Sequence, residues 1–220
     1  MVQRRVGLHL RNLIQMAVVM AAFNAGIGAH VEAKEGMKIV AFGDSLTAGY
    51  GVAPADAFPA QLERALRARG HKVEVVNSGV SGDTVGAGLE RFDWAVPTDA
   101  DAVILELGAN DALRGVDPKQ TRASLDTLIA KLKARKLPVL LAGMRAPKNW
   151  GEAYSNDFDA IFGNLAQKYG LLLYPFFLDG VVLDPVLNQG DGIHPTGKGV
   201  AIIVERILPK VEELMGQVAH

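Results

Sequence analysis

Lys38-Ile39-Val40-Ala41-Phe42-Gly43-Asp44-Ser45-Leu46-Thr47 is an apolar run that ends abruptly in small and polar residues. A short apolar run without alternation fits a strand hidden on both faces, as in a parallel sheet covered by helices. In such an open α/β sheet the ligand crevice lies beyond the carboxyl ends of the strands, so Ser45, one turn past the first strand, stands where substrates bind. A serine there is a candidate nucleophile. It attacks only with a base in hydrogen-bond reach and with donors for the oxyanion that forms. The bland alternative is a helix N-cap, a position that serine often takes.

The same design recurs down the chain. Residues 57–69 carry Phe58, Leu62, Ala65 and Leu66 at helical spacing and stop at Gly70, and residues 72–77 follow as a strand built on Val73, Val75 and Val76. The stretch from Ser78 to Thr84 reads as a loop because it is rich in glycine and serine, with a helix over 84–92 behind it. A third apolar run at 102–107 leads into Gly108-Ala109-Asn110-Asp111 and then a helix over 118–135 with Leu125, Leu128, Ile129 and Leu132 on one stripe. A fourth strand at 138–142, a helix over 154–169, a fifth strand at 171–173, a long irregular segment and a helix over 196–215 complete the chain. This alternation predicts parallel strands joined by crossover helices: a flavodoxin-like, doubly wound three-layer α/β/α sandwich around a five-stranded parallel sheet.

The chain has 220 residues, 49% of them hydrophobic, and a formal net charge of −1. That is enough for one sizeable core and gives no general attraction to nucleic acid. Residues 1–33 differ from the rest: Arg4, Arg5 and Arg11 precede an apolar run from Leu13 to Phe23, interrupted by Gln15, and small residues follow. This is the layout of a secretory signal peptide. Gln15 and Asn24 break the run too early for a comfortable membrane span, so the mature protein is expected to lack one and to be periplasmic or secreted. The alternative is an uncleaved anchor. Residues 36–220 then form a single domain, and with no cysteine in the chain it is held by its core alone.

Three strand ends bring Ser45, the Gly79–Gly82 loop and Asn110 to one edge of the sheet. The missing base is supplied by Asp191-Gly192-Ile193-His194-Pro195, since His9, His30, His71 and His220 are poorly placed. Asp191, three residues before His194, can fix its tautomer and steady the imidazolium that forms when it takes the serine proton. The backbone N–H groups of Ser45 and Gly82, with the side-chain amide of Asn110, are the candidate oxyanion hole. The rival readings are turn glycines and a surface Asp–His pair. Asp44, Asp83 and Asp111 read as loop carboxylates that brace the site. A metal site is not expected, because neither a histidine pair nor a cysteine cluster has ligand spacing. The G-x-S-x-G elbow is absent as well, since Thr47 stands two residues after Ser45.

Gly43-Asp44-Ser45-Leu46, the glycine of Ser81-Gly82-Asp83-Thr84, Gly108-Ala109-Asn110-Asp111 and Asp191-Gly192-Ile193-His194-Pro195 together resemble the four blocks of the SGNH, or GDSL, hydrolases, in their order. Glu106-Leu107-Gly108, Leu113-Arg114-Gly115 and Pro175-Phe176-Phe177 look most similar to the bacterial periplasmic branch of thioesterases, arylesterases and lysophospholipases. The resemblance implies a cofactor-free serine esterase acting on a small-molecule acyl ester or thioester. Ser45 is then the nucleophile, His194 the base, Asp191 its orienting acid, and Ser45, Gly82 and Asn110 the oxyanion donors. Ala109 stands where this branch often has glycine. The resemblance further implies that residues 111–118 form a loop closing over acyl chains, bordered by 144–156. A monomer is expected. The alternatives are a carbohydrate O-acetylesterase and an exported binding protein without turnover, although no P-loop lysine or dinucleotide fingerprint accompanies the glycines.

Overall fold

The computed structural model describes residues 36–218, so the signal peptide expected over 1–33 lies outside the described residues. The opening apolar run becomes β1 (Met37–Gly43), in which Ile39, Val40, Ala41 and Phe42 are all buried. It passes directly into α1 (Ser45–Ala48), a single turn closed by Gly49 in the left-handed conformation. A 3-10 turn at Pro54–Asp56 precedes α2 (Phe58–Ala68), β2 (Val73–Gly79), α3 (Val85–Glu90) and the one-turn α4 (Phe92–Ala95). Next come β3 (Ala102–Glu106), α5 (Ala109–Arg114), α6 (Pro118–Ala134) and β4 (Val139–Ala142). The chain then forms α7 (Glu152–Tyr169), β5 (Leu172–Tyr174) and α8 (Gly197–Met215).

The five strands make one parallel sheet in the order β2-β1-β3-β4-β5. The chain steps outward to β2, then returns past β1 to β3 and continues the other way. Right-handed crossovers place helices formed before and after that reversal on opposite faces. Accordingly α6 packs with α3 and α7 on one face, while the terminal α8, which follows the last strand and belongs to no crossover, packs with α2. Both faces of β1 and β3 are covered, which is why neither shows polar alternation. The reversal also opens the crevice between the carboxyl ends of β1 and β3, where Ser45 and Asn110 follow their strands.

Two local expectations are corrected. Ser78 and Gly79 belong to β2, paired with Phe42 and Gly43, because ladder hydrogen bonds to β1 hold them extended without apolar side chains. Residues 111–118 are not one loop: Asp111 to Arg114 complete α5, which Gly115 ends in the left-handed conformation. Six residues are too few to show a helical period.

Gly79 runs hard against the nucleophile turn. A Cβ there would lie 2.3 Å from the Ala48 nitrogen and 2.8 Å from the Asp44 carbonyl oxygen. Since these are backbone atoms, Gly79→Ala must push α1 and β2 apart. It is expected to cost about 1–3 kcal/mol of stability in urea unfolding and to lower ester turnover. A variant with wild-type stability would show that the contact is loose.

Candidate active site

Asp44, not Ser45, caps α1: its Oδ1 accepts from the Leu46 N–H at 3.0 Å. Ser45 occupies the first helical position, where its own N–H has no acceptor within the turn and its hydroxyl is free for other work. That hydroxyl lies 2.9 Å from His194 Nε2. On the other side of the ring, His194 Nδ1 lies 2.6 Å from Asp191 Oδ2. With Nδ1–H donated to Asp191, Nε2 is left to accept the serine proton.

The sequence Asp191-Gly192-Ile193-His194 folds back on itself. Asp191 Oδ1 accepts from the backbone N–H groups of Ile193 at 2.9 Å and His194 at 3.0 Å, so one oxygen is locked by the backbone while the other faces the imidazole. The backbone bond from His194, then the bond to its ring, then the Ile193 bond draw the Asp191 pKa down to about 2. Gln189 anchors the segment: its N–H donates to the His194 carbonyl at 2.8 Å, and its side-chain amide donates to the carbonyls of Pro195 at 3.0 Å and Tyr50 at 2.8 Å.

Gly82 has φ +89, a conformation that glycine adopts without strain. Its loop is pinned from both sides. The buried Arg91 donates from Nε to Asp83 at 2.5 Å and from its two terminal nitrogens to the carbonyls of Ser78 and Gly43, both at 2.9 Å. Arg91 also lies over the Phe42 ring at 4.5 Å. One guanidinium therefore ties the ends of β1 and β2 to the glycine loop. The helix expected over 84–92 ends at Glu90 as α3, with Arg91 as its C-cap, and α4 starts at Phe92. Opposite it, Arg114 donates to the Gly82 carbonyl at 2.8 Å.

Asn110, in the first turn of α5, donates its side-chain amide to Asp44 Oδ2 at 3.1 Å and to the Asp83 carbonyl at 3.0 Å. Those acceptors are the immediate neighbours of Ser45 and Gly82, so all the sequence-selected residues converge. Asp111 accepts from the Val85 N–H at 2.9 Å and from Thr121 Oγ1 at 3.1 Å, joining α3 to α5 and α6. The three loop aspartates are thus all bound braces.

One of them, Asp44, is paired with a second buried carboxyl, Glu106, which sequence patterning missed. Burial raises Asp44 to about 6 against the opposing bonds from Leu46 and Asn110. Burial, with the neighbouring Asp44 charge added, pushes Glu106 well above the usual carboxylate range. Glu106 Oε2 accepts from Thr47 Oγ1 at 2.7 Å. Gly43 leaves room for this contact, because a Cβ there would lie 2.1 Å from Thr47 Oγ1. A lone acidic residue in an apolar strand, Ala-Val-Ile-Leu-Glu-Leu, was the available signal for Glu106. Nothing in local patterning marked Arg91 or Gln189.

The sequence profile described as the GDSL-like lipase/acylhydrolase family matches residues 41–202. An arylesterase of Vibrio mimicus is 38% identical over 169 residues, covering 76% of this chain and 84% of that protein. The Escherichia coli K12 protein named thioesterase 1/protease 1/lysophospholipase L1 is 36% identical over 178 residues, covering 80% of this chain and 84% of the other. Among solved structures, AlinE4, an SGNH-hydrolase family esterase, superposes with a TM-score of 0.70 at 44% identity, over 82% of this chain and 97% of its own.

The raised Glu106 pKa has a consequence for stability. In the native state Glu106 keeps its proton at pH values where an exposed glutamate, near 4.5, has lost it. The folded state then binds more protons than the unfolded chain, so stability falls as pH rises from about 4.5 toward the raised value. Asp44 acts in the same direction between 3.8 and about 6. Urea midpoints measured between about pH 4.5 and 7.5 should therefore fall less steeply in Glu106→Gln than in the wild type. Parallel slopes would show that Glu106 does not hold its proton.

Proposed function

We propose, for a chain that belongs to the GDSL-like lipase/acylhydrolase family and is a hydrolase of ester bonds, a two-step acyl transfer led by Ser45. Ser45 Oγ attacks the ester carbonyl as His194 Nε2 takes its proton, and Asp191 steadies the resulting imidazolium. The negative charge on the carbonyl oxygen is met by the N–H groups of Ser45 and Gly82 and by the Asn110 amide. His194 then returns the proton to the departing alcohol or thiol, leaving an acyl-enzyme. Water, deprotonated by the same nitrogen, releases the acid.

The observation that carries this reading is the continuous relay from Ser45 Oγ to His194 Nε2 at 2.9 Å and from Nδ1 to Asp191 at 2.6 Å. In support of Asn110, its amide reaches the immediate neighbours of Ser45 and Gly82, although the developing oxyanion must compete with Asp44 and Asp83 for the same N–H groups. The substrate class we infer is carboxylic esters, extending to acyl thioesters and lysophospholipids, in keeping with the names of the Vibrio and Escherichia relatives. Export directed by residues 1–33, with 36–220 acting as a monomeric hydrolase domain, completes the reading. It is supported by the basic residues ahead of the apolar run. Among the described residues no helix is long and apolar enough to cross a membrane.

The test is hydrolysis of p-nitrophenyl esters from acetate to palmitate by the wild type and by Ser45→Ala. Activity is expected to vanish in the variant at every chain length, and residual turnover would remove Ser45 from the mechanism. A wild-type profile confined to acetate would favour an O-acetylesterase. Asn110→Ala is expected to lower kcat by about 10²- to 10³-fold with little change in KM. An unchanged kcat would strike Asn110 from the oxyanion hole.

A further inference from the structure

We propose that the exposed ring of Tyr50 is the leaving-group subsite of this esterase and that it selects esters of aromatic alcohols. The inference rests on the Ser45 and His194 reading above and assigns the half of the substrate which that reading leaves open. In serine acyl transfer the departing oxygen must come within hydrogen-bond reach of the imidazole nitrogen that returns its proton. The alcohol portion of any substrate therefore passes beside the Nε2 edge of His194. Side chains packed against that ring are the ones it meets.

Tyr50 is an aromatic ring packed against that imidazole. Its centroid lies 4.5 Å from that of His194, with the planes tilted by 40°. The ring pairs Phe58 with Phe177 and Phe158 with Phe162 are buried in the core, whereas Trp150, beside Tyr154, is exposed away from the His194 ring. Tyr50 remains 54% exposed, so core packing does not account for it.

The ring is exposed but its backbone is fixed. The Tyr50 N–H donates to the Ser45 carbonyl at 3.1 Å, which sets the residue on the nucleophile turn itself. Its carbonyl accepts from the Gln189 side chain at 2.8 Å, and the Gln189 N–H donates to the His194 carbonyl at 2.8 Å. Gly51 follows with φ +73, and a Cβ there would fall 2.1 Å from Gln189 Oε1. One glutamine thus joins the chain on both sides of the ring pair. An aromatic alcohol placed against such a ring gains offset or edge-to-face contact beyond simple area burial, and an alkyl alcohol does not.

The experiment compares a phenyl ester with a polyfluoroalkyl ester of the same acid, chosen so that the two alcohols have matching acidity and leave with equal ease. In Tyr50→Ala, kcat/KM for the phenyl ester is expected to fall about three- to tenfold relative to the fluoroalkyl ester. Tyr50→Phe keeps the ring and should retain the wild-type ratio. Equal losses on both esters would overturn the proposal, since they would mean that Tyr50 only supports His194. Failure of the underlying reading has its own signature, undiminished turnover of both esters by Ser45→Ala, and that result would overturn the subsite as well.

Discussion

The contact between Ser45 Oγ and His194 Nε2, 2.9 Å long, closes a sequence separation of 149 residues, and the surrounding architecture keeps those two atoms together. One end of the contact is rigid because β1 is buried on both faces and hydrogen-bonded on both sides, so α1 leaves it with little freedom. The other end comes from irregular chain between β5 and α8, where no sheet fixes the backbone. There the Asp191 turn and the Gln189 hydrogen bonds do the fixing, and Gln189 reaches back to Tyr50 beside the nucleophile. An irregular segment is made dependable by satisfying its backbone groups locally.

The crevice floor is more polar than its setting suggests. Asp44, Thr47, Glu106, Asp83 and Arg91 all lie at or near the strand ends with little solvent, and each has a stated partner. Burying ionic groups is unfavourable unless they are paired or neutralised. Arg91 pairs with Asp83, while Glu106 avoids the cost by keeping its proton, which leaves Asp44 to hold the Asn110 amide. Within this network Glu106 Oε1 is buried without a hydrogen-bond partner among the described residues, and the bonds made by the other members hold the three loops in place.

Gly43 and Gly79 show how closely backbone packing and chemistry are joined. Each lies at the end of its strand, and a Cβ at either position would strike atoms of the site: Thr47 and Glu106 in one case, the α1 backbone in the other. They are turn glycines by composition, yet close approach explains them better than turn geometry does.

The sequence by itself determined the alternating parallel architecture, because runs such as 39–42 and 102–105 are apolar without a break only when helices cover both faces of the strand. It also determined the candidate triad, since strand ends in such a sheet share one edge and His194 was the one well-placed histidine. Tertiary structure alone decided that Asp44 caps α1 in place of Ser45, that residues 109–114 are helical, and that Arg91, Gln189 and Glu106 support the site. The physical reason is range. Hydrophobic periodicity records what a residue buries against its own element, whereas a guanidinium bridging β1 to β2, or an amide joining residues 139 positions apart, leaves no periodic trace in the chain.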